Sequence, residues 1–140
     1  MKNGAKYLAE CGLRPSMQRL AIYQYMATHP THPTADEIFE ALKEQIPTLS
    51  KTTVYNTLKL FVAHGVVDEV FIDRTSERFD GNTELHAHFL CSNCGAIIDT
   101  PIASPETVNS AAPEGVSLAK TQLLYFGTCT KCIENQLNNN

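Results

Sequence analysis

The chain has 140 residues, of which 43% are hydrophobic, 8% aromatic and 19% charged, and its formal net charge is −4 at pH 7. These values are typical of a globular protein of one domain or two small ones, and they exclude a disordered chain, a collagen-like repeat and a dense disulfide scaffold. The acidic balance excludes DNA binding through a large positive field, although residues 1–60 have a net charge of +2 and residues 61–140 a net charge of −6.

The first half of the chain begins with two predicted helices. Apolar residues predict a helix over 17–29, and the two prolines within 30–33 end it. Thr34 followed by Glu37 is a capping-box pattern, so a second helix begins there and Pro47 stops it.

A third helix and a β-hairpin follow. A serine N-cap and a glycine C-terminal cap predict a helix over 51–64. Strands are predicted over 66–72 and 77–79, joined by a turn at 73–76. Three short helices and a hairpin describe a winged helix-turn-helix DNA-binding domain over 1–80.

The third helix has two different faces. Its apolar stripe is formed by Val54, Leu58, Phe61 and Val62. The opposite face carries cations and hydrogen-bonding groups, namely Lys51, Thr52, Tyr55, Asn56 and Lys59. Such a face suits a recognition helix in the major groove, and the alternative is a solvated outer face of a helical domain.

The second half predicts a small α/β domain over 86–140, joined to the first by a hinge at 81–85 that begins with glycine. The predicted elements are strands over 86–91 and 96–100, a helix beginning at Ser104, a strand over 118–127 and a helix over 130–137. The fold class is therefore α+β.

Four cysteines form two C-x-x-C pairs, Cys91 with Cys94 and Cys129 with Cys132. Two such pairs present four thiolates to one tetrahedral ion, and zinc is the metal that this donor set favours. A closed site of four cysteines has no open coordination position, which predicts a structural Zn²⁺. Two disulfides, or a thioredoxin-like redox motif, are the weaker alternatives.

Histidines and aspartates form a second pattern. His86 and His88 lie two residues apart on a predicted strand and therefore point to the same face. Asp80 lies just upstream, Asp99 ends the following strand, and His32 lies in the proline-flanked segment between the first two helices. Fe²⁺, Mn²⁺, Zn²⁺ or Co²⁺ accepts such ligands, whereas each histidine alone is more often an ordinary surface or core residue.

The chain contains four further motifs: HPTADEIFEAL at 32–42, TVYNTL at 53–58, RFD at 78–80 and HAH at 86–88. With the two cysteine pairs, their order and spacing resemble the ferric uptake regulator family over nearly the whole chain. The resemblance implies a homodimeric, metal-dependent transcriptional repressor, whose winged helix binds a palindromic operator and whose C-terminal domain dimerises.

Within the family, the chain is most similar to the peroxide-sensing branch. The resemblance implies a regulatory Fe²⁺ or Mn²⁺ held by His32, Asp80, His86, His88 and Asp99, where the iron-sensing branch usually has Glu in place of Asp80. It also implies that peroxide oxidises His32 or His86 in the iron form. A metal that joins the two domains would set the separation of the recognition helices, and its loss would release the operator.

Other functions remain as alternatives. A sensor of iron or zinc level would belong to the same family and respond to occupancy of the site. A non-haem iron enzyme needs two histidines and a carboxylate, but five ligands would fill the positions that a co-substrate requires. A zinc-ribbon interaction module would bind zinc alone. We expect a cytoplasmic repressor without enzymatic activity, membrane association or organic cofactor, since no signal sequence or long apolar run is present.

Overall fold

The structure, a computed structural model, describes residues 3–72 and 75–138 of the chain. Their elements divide between two units, Met1–Thr83 and Glu84–Asn140, and each unit has its own sheet. The combination of helices and two small sheets confirms the α+β class. No helix in the described ranges has the length and apolar character needed to cross a bilayer.

The helices of the first unit are α1 (Gly4–Glu10), α2 (Met17–Thr28), α3 (Ala35–Leu42) and α4 (Lys51–Ala63). Side-chain caps begin each of them, because the first backbone N–H groups of a helix have no partner within it. Thr34 and Glu37 form the predicted capping box at α3, and Ser50 accepts a hydrogen bond from the backbone N–H of Thr53 at 3.0 Å. The three predicted helices are therefore present.

Helix α1 was not predicted from the sequence. It has seven residues, and a helix this short depends on tertiary packing rather than on its own propensity. Leu8 is fully buried, and the ring of Tyr7 lies 5.4 Å from that of Tyr23 in α2. These contacts with the rest of the unit stabilise α1.

The hairpin consists of β1 (Asp68–Val70) and β2 (Arg78–Asp80), which pair in antiparallel register with Glu69 opposite Phe79. Strand β1 is shorter than the strand predicted over 66–72, and β2 is shifted by one residue from the strand predicted over 77–79. Of the predicted turn, Asp73 and Arg74 lie outside the described residues. The backbone N–H of Phe79 also donates to the carbonyl of Pro33 at 3.1 Å, so β2 is bonded to the segment before α3.

A hydrophobic core in the first unit contains residues of all four helices and of β2 in the hairpin. The predicted stripe of α4 lies in it, with Val54, Leu58 and Phe61 fully buried and Val62 half-buried at its edge. The core also holds Leu8, Leu13, Ile22, Met26, Ile38, Leu42, Ile46, Leu49, Val66, Val67 and Phe79. Burial of this stripe leaves the opposite face of α4 directed away from the core.

The second unit contains β3 (His86–Cys91), β4 (Ile97–Pro101), α5 (Pro105–Ser110), β5 (Leu123–Gly127) and α6 (Thr130–Asn138). Strand β3 lies in the middle of the sheet, antiparallel to β4 and parallel to β5. Of the strand predicted over 118–127, only the second half is a strand in the structure, namely β5. Leu123 pairs with Ala87 near the start of β3, and the parallel ladder between the two strands begins at this pair.

The core of the second unit is thin. Its buried cluster consists of Cys91, Cys129 and Cys132, with Phe89 packed against it. By contrast, Ile98, Tyr125 and Phe126 are each about half exposed or more. The cysteine cluster therefore occupies the position that a hydrophobic core has in a larger domain.

Candidate metal centres and nucleic-acid interface

The four predicted zinc ligands come together in the second unit. Cys91 ends β3, Cys94 follows it in a tight turn completed by Gly95 with φ of +77°, and Cys129 and Cys132 lie just before and within α6. Their Sγ atoms all lie within 4.8 Å of one another. The arrangement brings two knuckles from distant parts of the sequence to one point.

The sulfur spacing fits a tetrahedral zinc ion and not a disulfide. The Sγ atoms of Cys91 and Cys132 are 3.8 Å apart, as are those of Cys94 and Cys129. Four thiolates about 2.3 Å from a tetrahedral zinc are about 3.8 Å apart, whereas a disulfide bond is about 2.05 Å long. The geometry and the donor set therefore support a structural zinc.

The thiol pKa values of Cys91 and Cys132 are shifted in opposite directions. Hydrogen bonds from the backbone N–H groups of Cys94 and Cys129 lower the pKa of the Cys91 thiol to about 6. A hydrogen bond from Asn93 lowers the pKa of Cys132, but contacts with Cys129 and burial outweigh it and raise that pKa to about 11. Four adjacent thiols cannot all be thiolates without a cation to offset their charge.

The first unit holds one pair of the predicted regulatory ligands. Nε2 of His32 lies 3.6 Å from Oδ2 of Asp80, and both side chains are buried, with the residues at 3% and 5% exposure. The other carboxylate oxygen of Asp80 accepts a hydrogen bond from the backbone N–H of Asn82 at 2.9 Å. An imidazole nitrogen and a carboxylate oxygen thus face each other in a buried position.

The backbone of His32 has an unusual conformation. Its φ is +56°, in the left-handed region that non-glycine residues rarely adopt, and the following Pro33 restricts it further. Nη1 of Arg78 donates a hydrogen bond to the carbonyl of His32 at 3.1 Å, and Phe79 bonds to the carbonyl of Pro33. Strand β2 therefore supports both the strained backbone of His32 and, through Asp80, its side chain.

The second unit holds the other three predicted regulatory ligands. Asp99 is the cross-strand partner of His88, and its Oδ1 lies 3.4 Å from Nε2 of that residue. Oδ2 of Asp99 lies 3.7 Å from Nε2 of His86, which shares the face of β3 with His88 as the two-residue spacing predicts. Two imidazoles and one carboxylate therefore converge from paired strands.

The tautomer of His86 is fixed by the backbone. Its Nδ1 lies 2.6 Å from the carbonyl oxygen of Glu84, which only accepts hydrogen bonds, so Nδ1 carries the proton. In the neutral imidazole the lone pair is then on Nε2, the atom that faces Asp99. A ligating histidine usually donates its other N–H in this way.

The polar face of α4 is exposed at its N-terminal end. Lys51, Thr52 and Asn56 are exposed, and Tyr55 is 38% exposed. Nζ of Lys51 lies 3.9 Å from an Asp36 oxygen, at the limit of an ion pair. These side chains are available to base edges and phosphates, as a recognition helix requires.

The structure also shows contacts of this face that the sequence analysis missed. Nζ of Lys59 lies within 3.3 Å of carboxylate oxygens of Glu69 and Glu77, and the hydroxyl of Tyr55 donates to Glu77 at 3.2 Å. The role of Arg78 at His32 was missed as well. Separations of 10 to 46 residues give no local signal of these pairs.

Comparison with known proteins gives consistent results. Residues 10–126 match the model of the ferric uptake regulator family. The peroxide operon regulator of Bacillus subtilis strain 168 is 36% identical over 138 residues, which cover 97% of this chain and 95% of that protein.

Two solved structures are similar in fold. One is PerR from Streptococcus pyogenes, whose structure was solved to explain peroxide sensing and gene regulation by that protein. It is 30% identical with a TM-score of 0.51, over 91% of this chain and 88% of that chain. The ferric uptake regulator from Pseudomonas aeruginosa, solved with manganese, has a TM-score of 0.75 at 24% identity, over 92% of this chain and 99% of that chain.

Proposed function

The chain belongs to the ferric uptake regulator family. On this basis we propose that the protein is a homodimeric transcriptional repressor, and that it releases its operator DNA when hydrogen peroxide oxidises the protein. The observation that carries the proposal is that each predicted regulatory histidine faces a carboxylate. The relative from Bacillus subtilis, named a peroxide operon regulator, supports the signal.

The proposed regulatory ligands are His32, Asp80, His86, His88 and Asp99, and the proposed structural zinc ligands are the four cysteines. Three imidazole nitrogens and two carboxylates suit Fe²⁺ or Mn²⁺, whereas four thiolates suit Zn²⁺. The donor types therefore favour Zn²⁺ at the cysteine site and Fe²⁺ or Mn²⁺ at the histidine and aspartate site. Bound Fe²⁺ would supply the one-electron reduction of hydrogen peroxide beside the ligand imidazoles.

The proposed switch acts through the histidines. In net terms, hydrogen peroxide would transfer one oxygen atom into a ring C–H bond of the imidazole and leave as water, a two-electron oxidation that makes the ring a poorer ligand, and His32 and His86 are the proposed targets. The ligands come from both units, so their common ion would restrain one unit against the other. Loss of His32 would remove that restraint, and with it the match between two recognition helices and two half-sites of a palindromic operator.

Dimerisation and DNA binding are also part of the proposal. The exposed apolar side chains Ile98, Tyr125 and Phe126 of the second unit support a surface that a second copy covers. The exposed residues Lys51, Thr52, Tyr55 and Asn56 are the proposed DNA contacts, whereas Lys59, the fifth residue predicted from the sequence, is half-buried and held by carboxylates. We place the protein in the cytoplasm, where its operator is, and assign it regulation without catalytic turnover.

A binding experiment tests this function. The metal-loaded protein selects its operator from a random-sequence duplex pool, and affinity for the selected duplex is then measured anaerobically before and after peroxide. We expect the Fe²⁺ form to lose affinity after treatment and the Mn²⁺ form to retain it. Loss of affinity only on chelation, with no effect of peroxide on the Fe²⁺ form, would make the protein a metal-level sensor.

A further inference from the structure

A cluster of charged and polar side chains joins the hairpin to α4 within the first unit. Nζ of Lys59 lies 3.3 and 3.2 Å from the two carboxylate oxygens of Glu69, and 3.1 Å from Oε2 of Glu77. The other oxygen of Glu77 accepts a hydrogen bond from the hydroxyl of Tyr55 at 3.2 Å. We call these four residues, Tyr55, Lys59, Glu69 and Glu77, the hairpin clamp.

Three carboxylate oxygens surround the ammonium group of Lys59. An ammonium group has three N–H donors and no acceptor, and here three carboxylate oxygens lie within hydrogen-bond distance of it. A phosphate oxygen would have to compete with these carboxylates for the same three donors. The neighbouring Lys51 differs, because its nearest carboxylate oxygen is 3.9 Å away and its side chain is 59% exposed.

Burial makes this cluster different from an ordinary surface ion pair. The side chain of Glu69 is only 10% exposed, and a buried carboxylate is costly without a partner. Glu69 lies in β1 and Glu77 directly before β2, whereas Tyr55 and Lys59 lie one turn apart on α4. The contacts therefore fix both strands of the hairpin to the outer face of the helix.

We propose, on the basis of the proposed DNA-binding function, that Lys59 and Glu77 are positioning residues that hold the hairpin and the Tyr55 ring for DNA recognition, and that Lys59 makes no phosphate contact. Lys59 also lies over the Tyr55 ring, with 5.6 Å between Nζ and the ring centroid, so the same ammonium restrains the ring and the two carboxylates. Thr52, Asn56 and Lys51 remain free to contact DNA.

The salt dependence of DNA binding distinguishes a phosphate contact from a positioning role. Each lost phosphate contact reduces the slope of log affinity against log salt by about 0.9 per subunit. We expect Lys59→Gln to leave the slope of the Mn²⁺-loaded protein unchanged while its preference for the selected duplex over random DNA falls. The matched variant Lys51→Gln should reduce the slope. A slope reduced by Lys59→Gln as much as by Lys51→Gln would overturn the proposal.

Glu77→Gln provides a second test with opposite expectations. If Lys59 were a phosphate contact restrained by Glu77, this variant would bind all duplexes more tightly and with a steeper slope, which would contradict the positioning role. With a positioning role, Glu77→Gln lowers the preference for the selected duplex and leaves the slope as it is.

Stability measurements test the clamp without DNA, so failure of the clamp and failure of the repressor function are distinguishable. Lys59→Gln leaves the buried Glu69 carboxylate without this cation, and the double variant Lys59→Gln/Glu69→Gln removes both charges. We expect the double variant to have a smaller loss of Tm than the two single losses added together. Additive losses would show that the residues do not act together.

Discussion

Replacement of Cys91 by serine is expected to remove the zinc and unfold the second unit. Cys91 ends β3, and its sulfur accepts hydrogen bonds from two backbone N–H groups, which stabilise the thiolate. The most buried apolar residues among the described part of this unit are Ala87 and three of the four cysteines. Side chains of this size contribute about 5 kcal/mol together, whereas a structural zinc contributes about 10 kcal/mol or more. The metal therefore supplies most of the stability.

The assay combines metal content with hydrogen exchange. Native mass spectrometry counts zinc per chain, and exchange of backbone amides reports whether β3 remains folded. We expect Cys91→Ser to contain no zinc and to lose protection in β3, β4 and β5, while the first unit keeps its own core and its protection. The matched control is Cys11→Ser, which replaces a half-buried thiol of the first unit and should retain one zinc per chain. One zinc per chain in Cys91→Ser, with β3 protected, would refute the reasoning.

Three further predictions concern the regulatory ligands and the hairpin. Asp99→Asn should lower Mn²⁺ affinity by about 100-fold or more in anaerobic calorimetry, because it replaces the charged carboxylate of a proposed ligand with a neutral amide, and should leave zinc content unchanged. Arg78→Gln should destabilise the first unit by about 2 kcal/mol in urea unfolding, since it removes the charged donor to the carbonyl of His32. Side-chain hydrogen bonds with Glu69, and then with Lys59, lower the pKa of Glu77. The contribution of Glu77 to stability is therefore present above the ordinary glutamate pKa of about 4.3 and is lost as pH falls through the lowered pKa. Glu77→Gln should flatten this part of a Tm–pH profile.

Each of these has a contrary outcome. Unchanged Mn²⁺ affinity in Asp99→Asn would remove that residue from the proposed ligands. Equal unfolding free energies for wild type and Arg78→Gln would show that the strained His32 backbone does not depend on this hydrogen bond. A Tm–pH profile that keeps its wild-type slope in Glu77→Gln would assign the acid sensitivity to other carboxylates.

The sequence predicted the elements whose signals are local. Thr34 with Glu37 and Ser50 with Gly65 mark helix ends through contacts within one turn, and both helices are present. The two C-x-x-C pairs likewise predicted the sulfur cluster, because each pair is a local unit and zinc chemistry requires both.

Features that depend on tertiary contacts were not predictable in this way. Helix α1 has little signal of its own and depends on packing against α2. The contact of Arg78 with the carbonyl of His32 spans 46 residues, and the clamp of Lys59 depends on how the hairpin lies on α4. The polar face of α4 was predicted as one DNA-binding surface, and only the structure shows that its two ends have different partners.

Oxygen incorporation at the regulatory histidines is the most direct test of peroxide sensing. The zinc-replete protein is loaded anaerobically with Fe²⁺ or Mn²⁺, treated with a small dose of hydrogen peroxide, digested and analysed by peptide mass spectrometry. Our account predicts one added oxygen on the peptide that contains His32 or His86, in the Fe²⁺ sample only. Unmodified histidines in a sample with bound Fe²⁺, or equal modification with Mn²⁺, would contradict it.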